Sequence, residues 1–462
     1  MKQLGYNHQL SKKNPFSSLL VKFAVCFVLF GIAYRLFSTS FVQFPAIPSF
    51  VEVTQSSSSP SPPPPTTTSA TFEDEDNAGG PHVTLPPPSP PPPPPPVSAD
   101  VESGDFEETG TCDLFVGDWI PDASGPYYTN RTCFSIEAHQ NCMRNGRPDA
   151  DYIYWRWKPR HCDLPRFNAK IFLNVMRNKS LAFIGDSIMR NHGQSLLCSL
   201  SEVEEAVDVY HDKPYKNRRW TYPSHNFTLS VLWSPFLSKA SIFEDDNGVT
   251  SGLTQLHLDE LDTVWTREFN NFDYILTAGG KWFLKSAIYY ENNTVVGCHN
   301  CNGQNNITEI GFEYAYKKVI NSTLKFITTS KHKAYTFFRT TTPDHFENGA
   351  WDSGGYCNRT KPFKEGEVNI SSVDEVMRKI ELEEFEAASS TGRAPLRLFD
   401  TTILSLLRPD GHPGVYRQFQ PFAGKKKDEI NVAQVQNDCL HWCLPGPIDS
   451  WNDLMLKMLL SS

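Results

Sequence analysis

The chain has 462 residues, of which 21% are charged and 39% are hydrophobic, and its formal net charge is −9 at pH 7. This length allows two or three domains, and the composition is typical of a globular protein. The negative charge excludes a general nucleic-acid binder, which is usually basic. Only one long hydrophobic stretch is present, near the N-terminus, which excludes a membrane protein with many spans.

That stretch predicts a single membrane anchor. Residues 23–34 are apolar without interruption, and their flanks extend the segment to residues 16–37, about the length that crosses a bilayer. After Arg35 the next basic residue is Arg131, whereas four lysines lie earlier, at Lys2, Lys12, Lys13 and Lys22. This asymmetry predicts a type II protein with residues 1–15 in the cytosol and the remaining chain in a lumen. A cleaved signal peptide is the alternative interpretation.

Residues 38–111 predict an extended stem. They contain 18 of the 35 prolines of the chain, including the run 90–96, and an acidic patch at residues 73–76. Proline runs adopt the polyproline II conformation, and this segment has few apolar side chains with which to form a core. We expect a disordered, semi-rigid spacer that resembles plant extensin repeats, either hydroxylated and glycosylated or unmodified.

Cysteines and glycosylation acceptors indicate an oxidising lumen. The ten cysteines after residue 111 are disulfide candidates: Cys112, Cys133, Cys142, Cys162, Cys198, Cys298, Cys301, Cys357, Cys439 and Cys443. Eight Asn-x-Ser/Thr acceptors lie in the same region, at Asn130, Asn178, Asn226, Asn292, Asn306, Asn321, Asn358 and Asn369. Together they predict passage through the secretory pathway.

The C-terminal part alternates strand and helix patterns. Apolar strand candidates are residues 181–184, 229–233, 274–278, 335–339 and 396–399, and helix candidates are residues 188–200, 309–328, 373–388 and 451–460. This alternation predicts an α/β catalytic domain, residues 166–462, with a parallel sheet covered on both faces. Its active site would lie at the carboxyl ends of the strands. Residues 112–165, rich in Cys, Trp, Tyr and Pro, predict an irregular subdomain tied by disulfides.

Ser187 is the candidate nucleophile. An apolar strand ends at Gly185, and Ser187 follows at the start of a predicted helix. The N–H groups and the positive dipole end of that helix would stabilise a tetrahedral oxyanion beside the Ser187 hydroxyl. An ordinary capped helix start is the alternative interpretation, because Asp186 and Ser187 are also good N-caps.

Asp438 and His441 are the candidate orienting acid and general base. Their three-residue spacing allows the carboxylate to contact the imidazole, and disulfides at Cys439 and Cys443 could hold the turn. A surface loop with an incidental histidine is the alternative interpretation. Asp410 and His412 form a competing pair, although their Pro/Gly-rich surroundings are more typical of a turn.

Cys298 and Cys301 have the spacing of a metal knuckle. Zinc needs four ligands, and the sequence offers no matching second pair. We therefore predict a disulfide between them and no metal site.

Four motifs together resemble the plant trichome birefringence-like family of polysaccharide O-acetyltransferases. They are Gly185-Asp186-Ser187, Asp438-x-x-His441, the segment 112–119 (CDLFVGDW) and the segment 154–159 (YWRWKP). The resemblance implies an SGNH/PC-esterase-like three-layer α/β/α fold and a Ser187–His441–Asp438 triad. It also implies the disulfides Cys112–Cys162 and Cys133–Cys198. Residues 279–283 (GGKWF) and 355–363 (GYCNRTKPF) are similar to the xyloglucan-acetylating branch.

A Gly-x-Asn-Asp block typical of SGNH hydrolases is not evident in this sequence. The oxyanion donors would then be the Ser187 backbone N–H with Arg190 or Asn191. The resemblance implies transfer of acetyl from acetyl-CoA or a derived donor, without a bound cofactor, to xyloglucan side-chain galactose at the Golgi membrane. A wall-polysaccharide acetylesterase with the same triad and a non-enzymatic glycan-binding wall protein are the alternatives.

Overall fold

The computed structural model describes residues 112–241, 253–301, 306–391, 394–425 and 435–461. The predicted cytosolic tail, anchor and stem, residues 1–111, lie outside these ranges. Within them, no helix combines the length and the apolar character that a bilayer crossing requires.

The described residues form strands, α-helices and short 3₁₀ turns in the following order. The strands are β1 (Gly117–Pro121), β2 (Trp155–Pro159), β3 (Ser180–Gly185), β4 (Val207–His211), β5 (Arg218–Tyr222), β6 (Phe227–Trp233), β7 (Ser238–Ser241), β8 (Thr254–Leu261), β9 (Tyr274–Thr277), β10 (Ala287–Glu291), β11 (Thr294–His299), β12 (Tyr335–Arg339) and β13 (Leu396–Phe399). The α-helices are α1 (Ala169–Val175), α2 (Ser187–Ser201), α3 (Thr263–Thr266), α4 (Gly311–Thr329), α5 (Ser372–Thr391), α6 (Thr402–Leu406) and α7 (Ser450–Leu460). The 3₁₀ turns are Ala138–Gln140, Asp151–Ile153, Pro223–His225, Phe269–Asn271, Lys281–Leu284, Pro409–Gly411, Val415–Arg417 and Pro447–Asp449.

A seven-stranded sheet in the order β13-β12-β9-β3-β6-β5-β4 forms the centre of the fold. All five predicted strands are confirmed as β3, β6, β9, β12 and β13, and they pair in parallel. The sheet as a whole is mixed rather than parallel, because β5, which was not predicted, pairs antiparallel with both β4 and β6. The connections between these three strands are too short for the crossover that parallel pairing requires.

A second sheet was not predicted from the sequence. It has four strands in the order β11-β10-β8-β7. Strand β8 (TQLHLDEL) alternates buried and partly exposed residues at its start, which is the period-two pattern of a half-buried strand. That alternation could have predicted the strand β8 from the sequence.

Alternate residues of the central strand enter two separate cores. Leu181 and Phe183 of β3 pack in one core with helices α2 and α7, whereas Ala182 and Ile184 pack in the other with α4 and α5. This follows from the period-two geometry of a strand buried on both faces. The result is three layers, helix–sheet–helix, with Ser187 just beyond the carboxyl end of β3.

Residues 112–165 join the first of these cores. Trp119 of β1 and Trp157 of β2 are buried with α2 and α7, and the Trp119 indole N–H donates to the Leu404 carbonyl at 2.8 Å. Disulfides link Cys112 to Cys162 and Cys133 to Cys198, and the second bond fastens this segment to α2. The N-terminal segment therefore packs against the same helix that begins at Ser187.

Candidate active site

A turn that requires glycine positions Ser187. Gly185 has φ of 154°, and a Cβ atom there would lie 2.7 Å from Met189 Cγ and 2.9 Å from the Ala278 carbonyl oxygen. The next residue, Asp186, caps the helix by accepting from the Ile188 N–H at 3.0 Å and the Met189 N–H at 3.4 Å. Ser187 is consequently the first residue of α2, at its positive dipole end.

The predicted acid and base form a hydrogen-bonded pair. His441 Nδ1–H donates to Asp438, with the two carboxylate oxygens at 2.9 Å and 3.1 Å. The Asp438 carboxylate also accepts from the backbone N–H groups of Leu440 at 3.2 Å and His441 at 3.0 Å. These contacts fix the tautomer of His441, so that its Nε2 is the atom available to take a proton.

Each member of the pair shifts the pKa of the other. Burial alone would raise the pKa of Asp438, but the His441 ring and the hydrogen bonds from it hold that pKa far below its usual range. Burial lowers the pKa of His441, and the Asp438 carboxylate more than offsets this, so the net pKa is raised. A raised pKa strengthens His441 as a proton acceptor.

Asn191 joins this turn to the helix that begins at Ser187. Its side-chain oxygen accepts from the Trp442 N–H at 2.7 Å, and its Nδ2 donates to the Trp442 carbonyl at 3.3 Å. The charges of Asp186 and Arg190, on either side of Ser187 in the chain, both act on the His441 ring. His441 Nε2 is shielded from solvent and has no hydrogen-bond partner among the described residues.

Two disulfides anchor the His441 turn, as the sequence suggested. Cys439 is bonded to Cys357, and Cys443 is bonded to Cys142 of the N-terminal segment. The two bonds bracket His441 from both sides of the turn.

Asp410 and His412 do not form the hydrogen-bonded pair that the sequence offered as a competing acid and base. Asp410 is fully buried and binds Arg408 through both carboxylate oxygens, at 2.8 Å and 2.9 Å. His412 Nδ1 instead lies 2.7 Å from the His441 carbonyl oxygen, and its ring stacks on Trp442 at 4.3 Å. His412 supports the His441 turn, and no sequence pattern pointed to that role.

The two proposed oxyanion donors have different surroundings. Both ends of the Asn191 amide contact the Trp442 backbone, so its oxygen and one of its two N–H hydrogens are already engaged there. The Arg190 guanidinium lies over the Trp233 ring at 4.6 Å, and its Nε has no partner among the described side chains. Arg190 therefore stays the candidate donor, together with the Ser187 N–H.

A buried charged group behind Ser187 was missed. Arg339, at the carboxyl end of β12, lies 4.0 Å from the Asp186 carboxylate and is 1% exposed. Burial raises the pKa of Asp186, and the Arg339 charge opposes that rise. A Cβ on Gly280 would collide with the Asp186 carboxylate, so a larger residue there would displace the side chain that caps α2. The sequence signal that could have identified Arg339 is an arginine at the end of a predicted strand.

A residue of the N-terminal segment also reaches the site. The His139 ring packs edge-on against the His441 ring, with centroids 6.3 Å apart. Burial lowers the pKa of His139, and the nearby His441 lowers it further, although Glu137 opposes these effects. The N-terminal segment thus helps to enclose the His441 ring.

The remaining candidates lie away from this site. Cys298 and Cys301 form a disulfide, so the group they make with Glu309 offers no free thiolates to a metal. Seven of the eight glycosylation acceptors are exposed, and Asn130 is half-buried.

Two family matches cover the part of the chain described above. Residues 164–458 match the GDSL/SGNH-like acyl-esterase family found in Pmr5 and Cas1p, and residues 110–163 match the PMR5 N-terminal domain. The chain belongs to this acyl-esterase-like family, and its α/β fold is SGNH-like, as the sequence resemblance implied.

Plant relatives resemble most of the chain. Protein trichome birefringence-like 25 of Arabidopsis thaliana is 61% identical over 355 residues, 76% of this chain and 77% of the relative. Xyloglucan O-acetyltransferase 1 of Populus trichocarpa is 47% identical over 362 residues, 76% of this chain and 82% of that protein. Xyloglucan O-acetyltransferase 1 of Arabidopsis thaliana is 46% identical over 349 residues, 75% of this chain and 80% of that protein. The trichome birefringence-like resemblance is confirmed, and the family includes plant polysaccharide O-acetyltransferases.

Proposed function

We propose that this protein is a polysaccharide O-acetyltransferase that carries acetyl on Ser187 and delivers it to xyloglucan, on side-chain galactose. The observation that carries the proposal is the oriented Asp438–His441 pair, clasped by Asn191 to the helix that begins at Ser187. A serine at a helix N-terminus and a histidine with a fixed tautomer are the groups that acyl transfer needs. The relatives named as xyloglucan O-acetyltransferases support the choice of acceptor.

The first half-reaction loads the serine. The Ser187 oxygen attacks the acetyl carbonyl of acetyl-CoA or a derived donor while His441 Nε2 takes the hydroxyl proton, and Asp438 stabilises the resulting imidazolium. The tetrahedral oxyanion is stabilised by the α2 N-terminus, with Arg190 as the side-chain donor. His441 then returns the proton to the leaving donor, and acetyl-Ser187 forms.

The second half-reaction transfers the acetyl group from Ser187 to the sugar. His441 takes a proton from a sugar hydroxyl, the hydroxyl oxygen attacks acetyl-Ser187, and the sugar ester leaves as the serine regains its proton. A metal ion has no step to perform here, because serine and histidine supply the nucleophile and the proton transfer.

A wall-polysaccharide acetylesterase would use the same residues with water as the acceptor. The two functions are separated by incubating the purified full chain with an acetyl donor and xyloglucan oligosaccharides and measuring product masses. Acetylated oligosaccharide supports the transferase. Free acetate released from acetylated xyloglucan, without transfer to sugar, indicates the esterase. The lack of both reactions indicates the non-enzymatic glycan binder.

We also propose that this protein is a type II membrane protein of the Golgi, with its catalytic domain in the lumen. Five disulfides among the described residues support an oxidising compartment. N-glycosidase treatment of membrane fractions is expected to lower the apparent mass, and alkaline carbonate is expected to leave the protein in the membrane. Recovery in the carbonate supernatant would contradict the anchor at residues 16–37.

Removing the disulfide beside the general base should weaken catalysis in folded protein. The double variant Cys357→Ser/Cys439→Ser is expected to lose about 10- to 100-fold in kcat, because small displacements of a catalytic group have effects of this size. The matched control is Cys298→Ser/Cys301→Ser, which removes a disulfide outside the site. Circular dichroism shows which variants are folded. Full activity in the folded Cys357/Cys439 variant would remove this role.

A further inference from the structure

Two histidines form a continuous chain between two backbone carbonyl groups beneath the His441 turn. His345 Nε2 lies 2.8 Å from the Leu406 carbonyl oxygen, and His345 Nδ1 lies 2.7 Å from His412 Nε2. His412 Nδ1 lies 2.7 Å from the His441 carbonyl oxygen. All three separations are hydrogen-bond distances.

The number of protons on the two histidine rings follows from which of their contacts can donate and which can only accept. A carbonyl oxygen only accepts, so His345 Nε2 and His412 Nδ1 must each carry a hydrogen. Two neutral imidazoles have no further hydrogen, and their remaining nitrogens would face each other as two lone pairs. The nitrogen–nitrogen contact therefore needs a third proton, and that proton gives the pair one positive charge.

The pair is attached directly to the catalytic turn. The His345 backbone N–H donates to the Cys439 carbonyl at 2.9 Å, and the His412 ring both contacts the His441 carbonyl and stacks on Trp442. A change in the separation of the two rings would consequently move the backbone that carries His441.

We propose that His345 and His412 are positioning residues that share one extra proton, and that this proton holds the general base His441 in its catalytic place. The inference rests on the proposed acyl-transfer function of His441. Release of the proton to solvent leaves two facing lone pairs, the rings separate, and the His441 turn shifts.

Charges of both signs act on the pair. Burial lowers the pKa of each ring, and neighbouring carboxylates oppose that effect. The charged groups that act on the two rings are Asp344, Lys281, Asp410, Arg147 and Asp438, and the His345 ring also acts on His412. Burial favours the uncharged rings, whereas the hydrogen bond between the two facing nitrogens exists only in the protonated pair and therefore favours it. The shared proton is released to solvent as the pH rises. Catalysis needs neutral His441. The raised pKa of His441 therefore sets the acidic limb of the pH profile, on which kcat rises with pH.

The test is the pH profile of kcat for the full chain in detergent, with an acetyl donor and xyloglucan oligosaccharides. The wild-type profile is expected to have an alkaline limb on which kcat falls by ~10- to 100-fold as His441 moves out of place. In His345→Gln the alkaline limb is expected to disappear while the acidic limb stays. A glutamine amide has two N–H hydrogens and does not titrate, so it can donate to both Leu406 and neutral His412.

His332→Gln is the matched control, because this histidine also contacts a backbone carbonyl, that of Phe272 at 2.6 Å, but lies outside the site. It should retain the wild-type profile. An unchanged alkaline limb in folded His345→Gln, or no such limb in the wild-type protein, would overturn the proposal.

A second measurement does not depend on activity. In ¹⁵N-histidine-labelled protein, a hydrogen-bonded proton that couples nitrogens of two different rings is expected, lost in His345→Gln and kept in His332→Gln. Its absence at every pH would overturn the shared proton. Lack of acetyl transfer by a wild-type chain that shows this coupling would instead count against the proposed function alone.

Discussion

Replacing Ser187 with alanine is expected to lower the rate of acetyl transfer by several orders of magnitude, because the change removes the atom that carries acetyl. His441→Ala should have a similar effect, and Asp438→Asn a somewhat smaller one, since His441 would keep its place but lose its orienting charge. Initial rates of oligosaccharide acetylation measure all three variants.

Ser201→Ala is the control for this series. Ser201 is the last residue of the helix that begins at Ser187, and its hydroxyl donates to the Cys198 carbonyl at 2.8 Å. We expect Ser201→Ala to retain activity. Undiminished acetylation by Ser187→Ala would refute the acyl-serine mechanism.

Arg408→Ala is expected to lower the free energy of unfolding by about 3–5 kcal/mol. The Arg408 side chain is fully buried, binds both oxygens of Asp410 and donates to the Tyr152 carbonyl at 2.7 Å. Its loss would leave the Asp410 carboxylate buried without its partner. Chemical denaturation followed by tryptophan fluorescence measures the difference.

Arg160→Ala is the matched comparison on the surface. Arg160 pairs with Asp118 at 3.1 Å and also with Glu365, and the side chains of Arg160, Asp118 and Glu365 are 35%, 53% and 67% exposed. Exposed ion pairs contribute about 0–1 kcal/mol, so a small change is expected. Equal losses in Arg408→Ala and Arg160→Ala would contradict the assigned role of the buried pair.

The central strands and the triad spacing could be predicted because their determinants are local. The segment 181–184 is apolar on both faces, as a buried parallel strand requires, and glycine follows it where the turn needs a positive φ. Asp438 and His441 are three residues apart, so their contact needed no knowledge of the rest of the fold.

Features that depend on distant parts of the chain could not be predicted in this way. The contact of Asn191 with Trp442 joins residues 251 positions apart, and His345 meets His412 across 67 positions. The sequence pairs His412 with its neighbour Asp410, yet in the structure His412 Nδ1 meets the His441 carbonyl oxygen, 29 positions away. The second sheet was missed because its strands carry polar residues and have short, mixed patterns.

The most direct test of the account is the mass of the full chain after brief exposure to the acetyl donor without any acceptor. We predict one added acetyl group, located on Ser187 by peptide mapping and removed when xyloglucan oligosaccharide is added, with acetyl appearing on the sugar. Sugar acetylation without any acetylated Ser187, or an acetyl group on Ser187 that xyloglucan does not remove, would contradict the account.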